Sequence, residues 1–306
     1  MSDLAIFKRA ASLTLPVVFF LAGAAGAQEL VPGAYTPAPV GLNLITTSGS
    51  FSTGALSFDP TLPVENAHAK LGVGTVGYGR TLRVAGRFAN VIFVLPYVYG
   101  HAQGIFLGQQ AERWLNGIGD PVVRVGINLV GAPAMTPKEY AAYRPGVLVG
   151  LSLTMSLPLG EYEADRFINI GRNRWAFKPE IGISSTHGKW TVEGDFSTGF
   201  FTDNTNYVNG HTLAQAPIAS VQGHLIYTIR RGYWIAGDAN YFYGGRLTNN
   251  GVEAASKISN SRIGVTVAVP IPFINRQIRI AYSDGLRTAL GGDFRTIGVS
   301  YSHAWK

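Results

Sequence analysis

The sequence has no cysteine, few charges and, beyond its first 27 residues, no long apolar run. Without cysteine no disulfide can form and no lipoprotein anchor can be attached, and the chain suits an oxidising compartment. Charged residues make up 14% of the chain, against a usual share of about 25%. No stretch after Ala27 reaches the roughly 20 apolar residues of a transmembrane helix, so the inner membrane would let the chain pass. The formal net charge is +7, but no clustered Lys/Arg run points to nucleic acid. His68, His101, His211 and His224 are scattered, without metal-ligand spacing. Gly72 to Gly77 lacks a following helix and is no dinucleotide loop. No metal or cofactor is expected.

What is abundant is glycine (38 residues) and aromatics (5 Trp, 14 Tyr, 16 Phe). There is no Gly-X-Y period, which excludes collagen. The combination suits a β-rich chain with tight turns. The N-terminus reads as a secretory signal over 1–27. Lys8 and Arg9 form its basic region, Leu13 to Ala24 its apolar core, and Ala25-Gly26-Ala27 its cleavage site. Removing it also removes one net positive charge (Asp3, Lys8, Arg9), leaving +6. Residues 28–39 are rich in Pro, Ala and Gly and read as a periplasmic arm. A barrel is expected over 40–306.

The stretch from Gly171 to Phe200 decides the fold class. Trp175, Phe177, Pro179, Ile181 and Ile183 alternate with Arg174, Lys178, Glu180, Gly182 and Ser184. After a turn at His187-Gly188-Lys189, Trp190, Val192, Phe196 and Phe200 alternate with Glu193, Asp195, Ser197 and Gly199. Period two means half-buried strand. One face carries charge and the other is aromatic at both ends, the pattern of a membrane barrel with lipid outside and a polar lumen.

The same pattern recurs at 40–47, 70–82, 87–99, 119–130, 146–159, 217–229, 233–243, 262–271, 277–283 and 294–305, giving about twelve strands, an even number as single-chain bacterial barrels have. The expected fold is an all-β, antiparallel, up-and-down transmembrane barrel. Connections at 83–86, 187–189, 231–232 and 272–276 are short and fall on one side. Those at 48–69, 100–117, 160–171, 202–216, 244–260 and 284–293 are longer and fall on the other. This matches short periplasmic turns and long external loops. The exception is 131–145, where Thr136-Pro137-Lys138-Glu139 is a capping signature that predicts a short periplasmic helix over 136–143. The last strand carries Tyr301 and Trp305, which fit recognition by the barrel assembly machinery, although Lys306 departs from an aromatic end.

Alternation assigns Arg124, Asn128, Arg174, Lys178, Glu180, Glu193, Asp195, Gln222, His224, Asp238, Asn240, Arg262 and Arg279 to the lumen. They could line a hydrated, selective path. They could also form a salt-bridged plug, because about twelve strands leave less room than the 16–18 of porins. Arg174 could gate the mouth or simply pair with a luminal carboxylate while Trp175 joins the aromatic girdle. Pro179 removes a ladder donor, so a local bulge or kink is expected there, with a lateral exit as its functional version. Ser184 or Ser185 with His187, and Ser300 or Ser302 with His303, are the Ser–His neighbours a barrel hydrolase would need. Neither has an evident orienting acid, and an enzyme is not expected.

The run from Asp165 to Gly182 (DRFINIGRNRWAFKPEIG) resembles the hallmark of a bacterial outer-membrane family named for the meta-pathway of phenol degradation. Gly119-Asp120-Pro121, Gly131-Ala132-Pro133-Ala134, Tyr243-Gly244-Gly245-Arg246 and Ser261-Arg262-Ile263-Gly264 resemble it too, so the likeness extends from about Gly117 to the end. The resemblance implies a secreted outer-membrane barrel, in contact with membrane lipid, with a suspected role in uptake of small hydrophobic or aromatic compounds. No substrate site comes with it. The competing expectation is a closed structural or adhesive barrel with binding loops and no transport.

Overall fold

The computed structural model describes residues 31–59, 64–106, 108–164, 166, 168–271 and 276–306. The expected signal peptide (1–27) and residues 272–275 of the last expected short turn lie outside the described residues. The chain forms β1 (Asn43–Ser57), β2 (Val64–Val84), β3 (Arg87–Phe106), β4 (Gln109–Ile118), β5 (Val122–Val130), helix α1 (Pro137–Ala142), β6 (Val147–Ser156), β7 (Ala176–His187) and β8 (Trp190–Phe201). It continues with β9 (Asn204–Tyr207), β10 (His211–Gln215), β11 (Ile218–Arg230), β12 (Tyr233–Gly244), β13 (Leu247–Asn249), β14 (Val252–Glu253), β15 (Ile258–Ile271), β16 (Arg276–Arg287) and β17 (Gly291–Trp305).

All neighbours pair antiparallel, and β1 pairs with both β2 and β17, which closes the sheet. Strands β4 and β5 lie in tandem along β3: β4 covers Tyr97–Phe106 and β5 covers Ala89–Val94. Together they fill one position, so the barrel has 12. Among the described residues closure leaves the outer edge of β4 without a ladder partner and pairs the other wall strands on both sides, as a strand-built membrane span requires. Short β9, β10, β13 and β14 make a second small sheet at the long-loop end.

The faces follow the alternation. Ile181, Ile183, Val192, Phe196, Val265, Ile297 and Val299 are exposed on the outside. Glu180, Ser184, Glu193, Asp195 and Ser197 on the same strands are buried inside. Aromatic pairs mark both rims: Trp190 with Tyr227 at the short-turn end (centroids 4.7 Å), and Tyr241 with Tyr243 at the other (6.4 Å). The β2–β3 turn is tight because Ala85 and Gly86 both take positive φ (48° and 75°), the geometry that matches the twist of flanking strands.

Several expectations need correction. Ser48–Ala69 is mostly strand, since β1 runs to Ser57 and β2 starts at Val64. Gly100–Gly117 is a hairpin of β3 and β4, and 284–293 is largely the ends of β16 and β17. Likewise 202–216 and 244–260 hold the small sheet. Their outward faces are mixed, as on β4 where Gln110, Glu112 and Asn116 flank Trp114, so they do not read as lipid-facing stripes. Pro179 causes no bulge: β7 keeps one register on β8 from Ala176↔Phe201 to His187↔Trp190, merely lacking pairs at 178 and 179.

The expected helix is present as Pro137–Ala142, with the full capping box. Thr136 Oγ1 accepts from the Glu139 amide (3.3 Å), and Glu139 Oε2 accepts from the Thr136 amide (2.7 Å). Thr136→Ala should cost about 1 kcal/mol, read as a lower unfolding midpoint in denaturant. The Thr136 amide bond holds the Glu139 carboxyl below its usual range. A depressed carboxyl stabilises above its unfolded value and stops doing so as pH falls through its folded one. The protection factors of the α1 amides, exchange rates corrected for their intrinsic pH dependence, should therefore fall on acidification below about pH 4, and stay unchanged from pH 6 to 8.

The described part of the arm, expected in the periplasm, is inside the barrel. Tyr35 is 4% exposed, and Pro32, Pro37 and Pro39 are fully buried. Proline suits this placement because it has no N–H to leave unsatisfied. The chain then leaves along the short-turn end, where the Val40 amide donates to Met135 O (2.8 Å) and Ala38, Phe88, Ala132 and Leu148 pack together.

Candidate functional site

The lumen holds three levels of side chains. At the first, the Tyr35 ring lies over Gly150 and Gly182, a cross-strand pair of β6 and β7, where a Cβ at either position would overlap it. Tyr35 Oη donates to Glu180 Oε1 (2.9 Å) and lies 3.3 Å from Ser152 Oγ. Asn128 Nδ2 donates to Tyr35 O (2.7 Å), and the Gly33 amide donates to Glu193 Oε2 (2.6 Å). Arg124, 1% exposed, sits 5.3 Å from the Tyr35 ring centre and 3.8 Å from Glu180 Oε1. Lys178 Nζ is 3.5 Å from Glu180 Oε2. The arm is thus fastened by the charged residues that alternation placed inside.

The second level is a chain of buried acids on His224. Its Nδ1 is 2.8 Å from Asp238 Oδ1, and its Nε2 is 3.6 Å from Asp195 Oδ2. Thr266 Oγ1 donates to Asp238 Oδ2 (3.0 Å). Arg279 Nε donates to Gln277 Oε1 (3.0 Å), with its guanidinium 5.1 Å from the Trp234 ring centre. Glu193, His224 and Asp238 are neighbours across β8, β11 and β12, as are Asp195, Gln222 and Asn240.

The third level is apolar. Leu71, Val73, Val98, Leu115, Ile170 and Phe294 pack together on the inner face of β2, β3, β4 and β17. Ile170 belongs to the segment 157–175, which Asp120 ties down: its carboxylate accepts from the Gly160 and Arg172 amides, both at 2.9 Å. This segment stands where a strand should flank β4. Among the described residues, its one backbone–backbone bond to β4 is Glu161 N to Ile118 O (2.8 Å); side chains add Arg113 Nε to Ile168 O (3.4 Å), Arg113 Nη2 to Glu163 Oε1, and Ile118 N to Glu161 Oε1 (3.3 Å). The wall is therefore laced rather than laddered beside β4.

Of the thirteen residues expected inside, eleven are buried, and Lys178 and Gln222 are half-buried. Among the described residues Arg174 forms no ion pair with a carboxylate within 4.0 Å. It donates to Gln215 Oε1 and lies 4.8 Å from the Phe201 ring centre, while Trp175 is exposed and stacks on Phe177. The Ser–His neighbours form no triad. Ser185 Oγ is 3.0 Å from His187 Nε2 on an exposed turn, and Ser302 points inward to Thr46 while His303 stacks on Trp305. Sequence reasoning missed Tyr35, Asp120 and the apolar cluster. The Gly-Asp-Pro signal was visible, but its ligation of two distant amides was not.

No curated protein matches the sequence. The fold is that of an outer membrane channel from Pseudomonas putida F1, with 17% identity, a TM-score of 0.76, and coverage of 90% of this chain and 100% of that one. More distant are the transport unit of the autotransporter AIDA-I from Escherichia coli (9% identity, TM-score 0.49, coverage 99% and 98%) and the CymD monoaromatic hydrocarbon channel (9%, 0.44, coverage 92% and 94%). The family model described as "Putative MetA-pathway of phenol degradation" matches residues 41–284, which span the barrel from β1 into β16, and the chain belongs to that family of outer-membrane β-barrels.

Proposed function

We propose that this chain is a passive outer-membrane channel for small hydrophobic or aromatic compounds. The reading rests on one observation: the apolar luminal cluster of Leu71, Val98, Ile170 and Phe294 adjoins a stretch of wall, beside β4, that among the described residues lacks a continuous strand partner. An apolar solute gains by leaving water for such a cluster, about 25 cal/mol per Å² of apolar surface buried. A laced wall lets it leave sideways into the lipid, past a lumen that the arm closes to ions. The gradient drives it, and no catalysis is involved. Export through a signal peptide cleaved after Ala27 and insertion by the barrel assembly machinery complete the reading. The phenol pathway in the family name and the channel named in the Pseudomonas putida structure agree with it.

The test is uptake of toluene and p-xylene, beside glucose and arginine, by cells or proteoliposomes with and without the protein. Faster entry of the aromatic solutes alone is expected, with slower entry when Ile170→Asp puts a charge in the cluster. A closed barrel that only presents loops is the second reading, favoured by the arm in the lumen. Equal entry with and without the protein would establish it and remove the channel.

A further inference from the structure

Arg262, on β15, is 6% exposed, and among the described residues no carboxylate oxygen lies within 4.0 Å of its guanidinium. Its Nη2 donates to neutral acceptors, Phe294 O (2.8 Å) and Ser283 Oγ (2.9 Å), and its Nε has no partner. Asp284 and Asp293 act on its charge from beyond 4.0 Å and are bonded elsewhere, to Arg295 (3.2 Å) and Thr288 (3.1 Å). A buried charge without a directly paired counter-charge is costly. Directly across the β12–β15 ladder is Asn240, also 6% exposed, with neither amide atom partnered. Ser220, on the adjoining strand β11, is 4% exposed and its hydroxyl is unpartnered as well. These donors share the inner face, and the backbone that Arg262 holds is that of Phe294, a member of the apolar cluster.

We infer that Arg262 and Asn240, with Ser220, form a binding site for a carboxylate, so that the preferred solute is an apolar or aromatic compound bearing one acid group. The inference rests on the channel reading and narrows it. A carboxylate accepts from the Arg262 Nε–H, the Asn240 amide and the Ser220 hydroxyl, and supplies the charge that Arg262 lacks. The apolar body of the same molecule faces Phe294 and its neighbours. A neutral hydroxyl matches the hydrogen bonds but leaves the buried guanidinium uncompensated, which is why the acid is favoured over the alcohol.

The experiment is calorimetric binding of 4-methylbenzoate and of 4-methylbenzyl alcohol, near-isosteres, to the purified full barrel in detergent at pH 7.5. The carboxylate should bind at least about tenfold tighter than the alcohol, the scale of one charge-assisted hydrogen bond. Arg262→Met should abolish that preference by weakening the carboxylate far more than the alcohol, and Asn240→Leu should reduce it. Retention of the compact form on unboiled gels checks that each variant is folded. Equal binding of the two compounds to the wild type overturns the inference whatever the variants do, as does a preference that survives Arg262→Met. Toluene uptake is measured in parallel. Uptake without carboxylate preference removes only this inference, whereas loss of both removes the channel reading too.

Discussion

Replacing Glu180 by leucine should lower the stability of the barrel by about 3–5 kcal/mol, the scale for breaking a buried ion pair from one side. Glu180 is 6% exposed and serves four groups at once: Arg124, Lys178, the Tyr35 hydroxyl and the Ser152 hydroxyl. Leucine removes the charge that balances the two cations and the acceptor that the hydroxyls use. Glu180→Gln keeps an acceptor and loses only the charge, so about 1.5–3 kcal/mol is expected. Arg124→Met combined with Glu180→Leu should cost less than the sum of the single changes, because each removes the reason for the other's penalty. The loss should also be nearly independent of salt, since screening reaches exposed pairs far more than buried ones. Unfolding in urea, followed by tryptophan fluorescence in micelles, measures all four variants. A Glu180→Leu loss within about 0.5 kcal/mol of zero, the range of surface substitutions, would mean that the luminal charges are hydrated rather than mutually compensating.

What was legible in the sequence was whatever touches lipid. Ile181 and Ile183 must be apolar, and Glu180 between them must not face the same way, so β7 announces itself, as do its neighbours. The β3–β4 hairpin beyond Tyr99 did not, because its outward face carries Gln103, Glu112 and Asn116 and so shows no lipid-facing apolar stripe, while its apolar residues Ala102 and Leu115 point inward. The luminal cluster was hidden for a related reason. On β2 the inward residues are Leu71 and Val73 and the outward ones Gly72 and Gly74, so the apolar face of that strand is inside and its pattern looks like glycine alternation alone. The arm was least legible. Pro, Ala and Gly carry no period, and its anchors Glu180 and Glu193 lie 145 and 160 residues away.

The arm carries the second large effect. Gly182→Val should turn an electrically silent barrel into a conducting one, with a rise in conductance on the order of tenfold, because the interior polar groups then line an open path. A side chain at Gly182 would collide with the Tyr35 ring and with the Asp195 carboxylate, and one at Gly150 with the ring from the opposite strand. Both positions are on rigid wall strands paired in register, whereas Tyr35 is on an arm held by a few hydrogen bonds. The arm therefore yields. Those bonds, at about 0.5–1.5 kcal/mol each and up to 3 where a carboxylate accepts, are what the wall strands must outweigh, and the many ladder bonds of β6 and β7 do so. Gly237→Val is the control: it faces outward with nothing within 4 Å of an added Cβ, and it should leave the barrel silent. Chymotrypsin gives an independent readout, since a released Tyr35 becomes a cleavage site that the buried one is not. Single-channel recording beside this cleavage separates two physical outcomes. Conductance with cleavage shows that the arm is the seal. Cleavage without conductance shows that the acid–histidine level at Asp195, His224 and Asp238 closes the lumen by itself, and the route for solute is then the laced wall beside β4 alone.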